Sequence, residues 1–464
     1  MVFSSLPFLY LFLPAVLLVY YATPRRYRNA VLMFFSLIFY FFGEQLFVLL
    51  LIISSLSDYV FSLLIEKYRQ KPRLAKAFML SAVVISLSML GFFKYIDFFI
   101  GITNSVFNTS FAYFGAYLPL GISFFSFQTM SYTIDVYRGK ARAQKNLFTL
   151  ATYICLFPQL VAGPIVRYTD INDALEFRRE KLDHVIAGVR RFCIGLMKKV
   201  WIANTMGELV EIFRASDERT VLFYWLYAGA FMMQLYFDFS GYSDMAIGLG
   251  RMFGFAFPEN FNYPYISRSI AEFWRRWHIT LGTFFRDYVY IPMGGNRVSK
   301  SRWLLNIAVV WGLTGFWHGA DWNFILWGAM MALLLILEKF VIGKFLQRAR
   351  IVSHVYTMFM VLISFVLFNG AGLAGALADV AGLFGAGGIA LVGPEALYYL
   401  RSFAWLFVVS IFCSTPLLKR WGDKLLEKKS RLTWLEPALI AVIMILVTAH
   451  LVDGSFNPFI YFWF

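Results

Sequence analysis

The chain has 464 residues, of which 60% are hydrophobic, 20% are aromatic and only 15% are charged. Soluble globular proteins contain about 45–50% apolar and about 25% charged residues, and disordered chains are less hydrophobic still. The composition therefore excludes both classes and indicates a membrane protein with many spans. The formal net charge is +15, but basic residues concentrate in the cytoplasmic loops of membrane proteins, and no nucleic-acid partner is expected.

The predicted spans follow from the length of the apolar stretches, because a bilayer core about 30 Å thick needs roughly 20 apolar residues per helix. Candidate stretches lie at approximately 6–22, 29–43, 46–65, 77–100, 117–136, 185–203, 220–237, 303–317, 322–338, 352–369, 397–418 and 434–452. The first has no basic segment in front of it, so we expect a retained span and not a cleaved signal peptide. With interrupted segments added, these stretches predict an all-α, polytopic helical bundle of about 11–13 spans.

One further apolar stretch, residues 146–166, does not fit a simple span. It contains Pro158, Gly163 and Pro164, and proline removes a backbone donor and breaks a helix. Irregular backbone at membrane depth survives only inside protein or along a cavity. We therefore predict a re-entrant or interrupted segment here.

Basic loops give the predicted orientation of the spans. Lys and Arg occur in clusters, and two candidate spans separate each cluster from the next. In the first third of the chain the clusters lie at 25–28, 67–76 and 138–145, and in the last third at 297–302, 339–350 and 419–431. The segment 101–116, between two of these clusters, carries no charge. By the positive-inside rule the clusters are cytoplasmic, which places the amino terminus and the loop 370–396 outside.

The middle of the chain, residues 234–302, is unusually polar for a membrane protein. It interleaves charged residues with Tyr and Trp, and charged groups at membrane depth usually face a bundle interior or a wet cavity. The run 272–288 has polar and aromatic residues three or four apart, which predicts an amphipathic helix at the interface or over a cavity. The alternative interpretation of this run is a surface helix, with Arg275, Arg276 and Arg286 in contact with lipid phosphate.

Residues 303–330 predict a hydrophobic hairpin with His318 at its turn. From the basic loop before it, some 15 residues at 1.5 Å each reach only about 22 Å, so the imidazole should lie inside the membrane. Two interpretations are open: a core histidine bonded to a carbonyl, or a general base, because imidazole titrates near neutrality. Asp321 would orient the ring if the helix continues, and Gly315 and Gly319 would let a backbone or substrate approach closely.

Other chemistries have no support in the motifs. The sequence has no G-x-S-x-G nucleophile elbow, no H-E-x-x-H motif and no Walker pattern. Cys155, Cys193 and Cys413 show neither metal spacing nor an even disulfide set, and two distant histidines make a weak metal site. We expect no metal and no bound cofactor.

Longer motifs run through the chain: SFFSFQTMSYTIDVYRG (123–139), FPQLVAGPIVRY (157–168), QLYFDFSGYSDMAIGLGRMFGF (234–255), PENFNYPYISRSIAEFWRRWHITLGTFFRDYVYIPMGGNR (258–297) and GFWHGADWNFILWG (315–328). They resemble the membrane-bound O-acyltransferases, and within them the bacterial branch of alginate O-acetyltransferase membrane subunits and teichoic-acid D-alanyl transfer proteins. The opening MVFSSLPFLYLFLP and the closing NPFIYFWF are also similar to the alginate type, except that Trp463 stands where arginine is expected.

The resemblance implies an architecture and a location. The expected fold is a helical bundle around a central tunnel or funnel, formed by a single domain over residues 1–464. Its motif-rich core covers residues 121–340, and C-terminal helices cover residues 341–464. The protein is expected in a bacterial cell inner membrane, with the amino terminus outside.

The resemblance also implies site residues. The family's essential histidine falls on His318, and its second polar position falls on His278, which would bind or polarise the carbonyl of a thioester and stabilise the oxyanion. A donor-binding or orienting role is expected for Asp321, Trp317, Arg275, Arg276, Arg286 and Asp287.

The implied activity passes an acetyl group from a cytoplasmic donor, acetyl-coenzyme A or another acyl thioester, to an extracytoplasmic polysaccharide or a partner protein that acetylates it. Expected partners are the lipid bilayer, an extracytoplasmic acetyltransferase and an alginate-like acceptor. Alternatives within the class are transfer of D-alanyl or another acyl group from a carrier protein to teichoic acid or cell wall, and peptidoglycan O-acetylation. A transporter or flippase without bond chemistry is the alternative from another class, since broken spans suit it too.

Overall fold

The computed structural model describes residues 1–178, 180–428, 435–454 and 459–460, and the regular elements in these ranges are helices. The predicted all-α class is therefore confirmed. The helices form two compact units, one of Met1–Phe192 with Tyr242–Pro258 and the other of Cys193–Gly241 with Glu259–Phe464. Most of the closing motif, including Trp463, lies outside the described residues. The single domain and the central tunnel stay predictions.

The first unit is formed by the helices of the amino-terminal part of the chain. They are α1 (Leu13–Ala22), α2 (Arg28–Glu44), α3 (Val48–Lys67), α4 (Pro72–Phe107), α5 (Ile122–Tyr137), α6 (Leu147–Cys155), α7 (Phe157–Leu160), α8 (Tyr168–Phe177) and most of α9 (Leu182–Met197). Apolar side chains such as Leu18, Phe34, Leu49 and Val84 are exposed on the first four helices. Exposed apolar side chains on several helices are suited to contact with lipid.

The interruption predicted in residues 146–166 is confirmed. Helix α6 ends at Cys155, the backbone of Leu156 leaves the helical region (φ −54°, ψ 108°), and α7 begins with a proline in its first turn. The backbone then continues without helix to residue 167, and residues 152–166 are buried. The irregular backbone is thus covered by protein, as membrane depth requires.

The second unit contains the rest of the chain. Its helices are α10 (Asn204–Ala215), α11 (Val221–Met252, whose last third belongs to the first unit), α12 (Ile270–Arg276), α13 (Ile279–Phe285), α14 (Lys300–His318), α15 (Trp322–Leu337), α16 (Gly343–Arg348), α17 (Arg350–Phe368), α18 (Gly372–Leu383), α19 (Pro394–Cys413), α20 (Leu417–Lys428) and α21 (Leu435–Asp453). Helices α14 and α15 form the predicted hairpin, with His318 at its turn.

In the part of the chain that the structure describes, six helical stretches are long and apolar enough to cross a membrane: Arg25–Lys67, Pro72–Phe107, Trp322–Arg348, Arg350–Phe368, Pro394–Cys413 and Glu436–Asp453. The first covers both α2 and α3, which a short 3-10 turn at Gln45–Phe47 separates. Other predicted spans fall on helices that are shorter, such as α5, or more polar, such as α11 and α14. The chain is a multi-pass membrane protein, and the total of about 11–13 spans stays a prediction.

Two glycines let α14 and α15 cross at close range. A Cβ atom at Gly315 would overlap the Phe324 carbonyl oxygen, and one at Gly328 would overlap the Trp311 carbonyl oxygen. The close backbone approach predicted at Gly315 is therefore confirmed. Gly319 instead lies against the ring of Phe324.

We expect Gly315→Ala to destabilise the protein and Gly312→Ala, in the same helix, not to. Overpacking typically costs about 1–3 kcal/mol, whereas a Cβ at Gly312 meets nothing within 4 Å and alanine raises helix propensity by up to about 1 kcal/mol. Thermal unfolding in detergent, monitored by size-exclusion chromatography, gives the melting temperature of each variant. Equal melting temperatures for the two variants would contradict the close crossing.

Candidate functional site

The predicted single helix over 272–288 is wrong, because the chain breaks at His278. Helix α12 ends at Arg276, Trp277 is extended (φ −103°, ψ 130°), and His278 has left-handed backbone angles (φ 44°, ψ 53°) before α13 begins. A π-helical turn at Arg286–Tyr290 follows α13. Left-handed angles at a non-glycine residue cost about 1–3 kcal/mol and persist only where neighbouring groups hold them.

Asn260 supplies the bonds that hold this turn. Its side-chain oxygen lies 3.1 Å from His278 Nδ1, and it accepts hydrogen bonds from the Thr280 amide (3.3 Å) and the Thr280 hydroxyl (2.9 Å). The Asn260 main-chain carbonyl accepts from the Ile279 amide at 2.9 Å. Asn260 is completely buried, so these bonds are shielded from water and strong.

The same bonds assign the tautomer of His278. Because the Thr280 amide can only donate, the Asn260 atom that it meets is the oxygen. His278 Nδ1 therefore carries the proton that it donates to this oxygen. Burial lowers the pKa of the His278 imidazole to about 3, so the ring is neutral near pH 7. Its Nε2 then presents a lone pair, which makes it a hydrogen-bond acceptor.

His318 lies at the last position of α14 in an aromatic environment. Its ring is 4% exposed, and the ring centroids of Trp317, Trp327 and Phe368 lie 4.9, 5.1 and 5.2 Å from its own. All three rings meet the imidazole close to edge-on. The surroundings of His318 are therefore largely apolar, and such a site excludes bulk water.

Both predicted histidines lie next to one tryptophan. The Trp317 ring centroid is 6.0 Å from that of His278 and 4.9 Å from that of His318. His278 also meets the ring of Phe239 edge-on at 4.7 Å. Two motifs 40 residues apart in sequence therefore contribute to one buried site.

Three tryptophans form a second link between the two motifs. Trp274 of α12 lies 4.7 Å from Trp311 of α14 and 5.6 Å from Trp327 of α15, as measured between ring centroids. Trp327 in turn contacts His318. Neither Asn260 nor Trp327 was singled out from the sequence, although both lie inside the quoted motifs, because no residue-type pattern marked them.

Asp321 does not sit on a continuation of α14. The helix ends at His318 because Gly319 is extended (φ −164°, ψ 155°), and Asp321 is the N-cap of α15. Its Oδ1 accepts a hydrogen bond from the Trp322 amide at 2.5 Å. Asp321 was expected to orient the imidazole if the helix continued past His318. An extended turn follows His318 instead, so this condition is not met.

The arginines of the polar block have different surroundings. Arg276 pairs with Glu272 at 2.9 Å and also donates to the Asn262 carbonyl. Burial alone would raise the pKa of the Glu272 carboxyl, but bonds from the Arg268 amide and from Arg276 outweigh it and hold this pKa below its usual range. Arg286 is mostly exposed and pairs with its neighbour Asp287 at 2.7 Å. Arg275 is exposed as well.

Glu338 fixes the beginning of α12 from another helix. Its carboxylate oxygens accept hydrogen bonds from the Ile270 amide (2.6 Å) and the Ala271 amide (3.2 Å). Ser269, the N-cap, accepts from the Glu272 amide at 3.0 Å. A carboxylate at this end also complements the helix dipole. Both ends of α12 are therefore held by buried or partly buried bonds.

A buried ion pair lies beside Phe239 and was not predicted. Lys199, in the π-helical segment Lys198–Ala203, lies 2.6 Å from Asp238, and both side chains are at most 5% exposed. The Ile460 amide donates to the second oxygen of Asp238 at 2.7 Å.

Within the described residues, no group of three or more His, Cys, Asp and Glu side chains could hold a metal ion.

We expect acid to destabilise the wild-type protein more than a His278→Asn variant. Below pH 6.5 the unfolded chain binds a proton at His278, whereas the folded protein does not until its lowered pKa of about 3 is reached. Stability is therefore lost as pH falls through this window, by at most about 1.4 kcal/mol per pH unit. Melting temperatures at pH 7 and pH 5 test this. The same acid-induced drop in both proteins would contradict the neutral His278.

Comparisons with known proteins show the family of the chain. The model of the membrane-bound O-acyltransferase (MBOAT) family matches residues 37–376, which include both histidines. The chain is 41% identical over 392 residues to a probable alginate O-acetylase of Azotobacter vinelandii, covering 83% of this chain and 79% of that protein. It is 42% identical over 378 residues to the probable alginate O-acetylase of Pseudomonas aeruginosa, covering 80% and 73%.

A relative with a different printed activity also aligns along most of the chain. It is the peptidoglycan O-acetyltransferase of Helicobacter pylori, which is 32% identical over 447 residues and covers 86% of this chain and 83% of that protein. The teichoic acid D-alanyltransferase of Bacillus subtilis is 31% identical over 271 residues, covering 54% and 68%. The chain therefore belongs to the membrane-bound O-acyltransferase family and is an O-acyltransferase.

Proposed function

We propose that this O-acyltransferase takes an acetyl group from a cytoplasmic thioester, acetyl-coenzyme A or another acyl thioester, and passes it across the inner membrane. The acceptor is the hydroxyl group of an alginate-like exopolysaccharide, or of an extracytoplasmic partner protein that then acetylates the polymer. The observation that carries the proposal is the pair of buried histidines next to Trp317. The cytoplasmic basic loops and an external amino terminus give the matching orientation.

His318 is the general base in this proposal. Its imidazole takes the proton of the acceptor hydroxyl while the hydroxyl oxygen attacks the carbonyl carbon of the thioester. The new carbon–oxygen bond forms, the carbon–sulfur bond breaks, and the proton passes from the imidazolium to the leaving thiolate. The apolar rings around His318 favour this chemistry, because a site without bulk water protects the thioester from hydrolysis.

His278 has a different role from the one expected from the resemblance. A neutral ring with its proton on Nδ1 has no second N–H group with which to stabilise an oxyanion. Its Nε2 instead accepts a hydrogen bond and orients a donor group of the substrate, such as the acceptor hydroxyl. Asn260 acts through His278 and is a positioning residue.

The exposed Arg275 and Arg286 are proposed to hold the phosphate groups of the donor, because guanidinium groups bind phosphate in a bidentate manner. Asp287 orients Arg286 through their ion pair, and Trp317 packs next to both histidines. Asp321 orders the turn after His318 by capping α15. Arg276, already paired with Glu272, holds α12 in place.

Peptidoglycan O-acetylation is a second candidate, because the Helicobacter pylori relative covers 86% of the chain. D-alanyl transfer from a carrier protein is less supported, since that relative covers 54% of the chain. Acetylation of an exopolysaccharide is preferred because identity to the alginate O-acetylases is higher, at 41–42%. Transport without bond chemistry does not fit a family of O-acyltransferases.

The test is release of free coenzyme A from acetyl-coenzyme A by purified protein, with an oligosaccharide acceptor present. We expect His318→Ala to lower the rate about 10²–10⁴-fold, the typical contribution of a general base. The matched control is His184→Ala, since His184 is exposed and belongs to the first unit. This control should keep the wild-type rate. A folded His318→Ala variant with the wild-type rate would contradict the assignment.

A further inference from the structure

The proposed reaction needs a hydrogen-bond donor that the two histidines do not supply. When the acceptor attacks a thioester, negative charge develops on the carbonyl oxygen, and N–H groups aimed at it lower the barrier. The neutral His278 presents a lone pair on Nε2 because its proton lies on Nδ1, towards Asn260. His318 must begin as an acceptor if it is the base. The oxyanion donors therefore have to be other side chains.

Trp327 has the chemistry and the position of such a donor. Its side chain is 1% exposed, and its ring lies 5.1 Å from the His318 ring at an interplanar angle of 86°. Its Nε1 is buried, and the described part of the chain offers it no hydrogen-bond partner. An indole N–H can donate but never accept, so this group can only meet an acceptor atom.

Trp274, in the other motif, is a second buried indole of this kind. Its Nε1 is also buried without a partner among the described residues. Its ring centroid lies 5.6 Å from that of Trp327 and 4.7 Å from that of Trp311. Two donor-only groups thus belong to one aromatic cluster next to the proposed base.

Leaving such groups without partners is costly. A buried donor that lacks an acceptor loses about 1–3 kcal/mol, and most buried polar groups in native proteins are paired. Phe368 and Trp311, which also border Trp327, offer rings and no strong acceptor. Oxygen atoms of a bound substrate would satisfy these indoles.

We infer that the indole N–H of Trp327 donates a hydrogen bond to the carbonyl oxygen of the thioester, and that Trp274 provides the second donor of the same pocket. This inference rests on the proposed function, because it takes a thioester as the donor substrate. Trp327 is then a catalytic residue. No bond to either indole forms or breaks, and neither gives up its proton. The hydrogen bonds strengthen as the carbonyl carbon becomes tetrahedral and weaken when the thiolate leaves.

The experiment compares two unreactive coenzyme A analogues on full-length protein in detergent. One is the ketone isostere of acetyl-coenzyme A, in which CH₂ replaces the sulfur and the carbonyl is kept. The other is S-ethyl-coenzyme A, which has no carbonyl. We expect the wild-type protein to bind the ketone at least about tenfold more tightly, the value of a hydrogen bond of about 1.4 kcal/mol. Trp327→Phe should reduce this ratio to near one.

Comparing two ligands on the same variant cancels the effect of any cavity that the substitution leaves. Trp274→Phe is the second variant and should lower the ratio as well. Trp303→Phe is the matched control, because the Trp303 indole already donates to the Tyr290 hydroxyl at 3.0 Å and lies at the opposite end of α14 from His318. The control should keep the wild-type ratio.

In turnover, Trp327→Phe should lower kcat about 10²–10³-fold, as removal of one oxyanion donor does, with a smaller change in KM. An unchanged ketone preference in Trp327→Phe would overturn the inference, and so would a wild-type protein that binds both analogues equally while turning over acetyl-coenzyme A. A wild-type protein that binds neither analogue and releases no coenzyme A would overturn the proposed donor itself, and this inference with it.

Discussion

Asn260 fixes the backbone turn on which the candidate site depends. Its side-chain oxygen gathers three donors from His278 and Thr280, and its carbonyl binds the amide of Ile279. These bonds offset the cost of left-handed backbone angles at His278. Without them, nothing in the spacing of the polar run would end the helix at Arg276. Asn260, an uncharged residue of its motif, therefore decides where the His278 imidazole lies and which of its nitrogens carries the proton.

The resulting site divides hydrogen bonding between two kinds of side chain. In the proposed mechanism the imidazoles of His278 and His318 supply lone pairs, whereas the indoles of Trp274 and Trp327 supply N–H groups. Acyl transfer needs both, since a hydroxyl must lose a proton while a carbonyl oxygen gains charge. Because these groups lie among aromatic rings, their interactions are stronger than they would be in water. The aromatic content of the polar block thus has a chemical use beyond anchoring the chain at a membrane interface.

The sequence could predict features that depend on local chain chemistry. The length of the apolar stretches predicted many of the helices, and Pro158 marked the interrupted segment. The gap between the candidate spans 303–317 and 322–338 placed His318 at the turn of the hairpin. The break at His278 could not be predicted in this way, because the residues around it have the spacing of an amphipathic helix and no glycine or proline lies within three residues of it. It depends on Asn260, 18 positions earlier, through contacts that exist only after folding. Trp327 was missed for the same reason, since a buried indole without an acceptor is a property of its surroundings.

The central claim is that two distant motifs form a single catalytic site around Trp317. The most direct measurement is a double-mutant cycle on the rate of coenzyme A release, with His318→Ala, His278→Ala and the two combined. If both imidazoles serve one reaction step, the double variant should be about as slow as the slower single variant, because groups that act as a unit are strongly non-additive. A double variant whose loss equals the product of the two single losses would contradict a shared site.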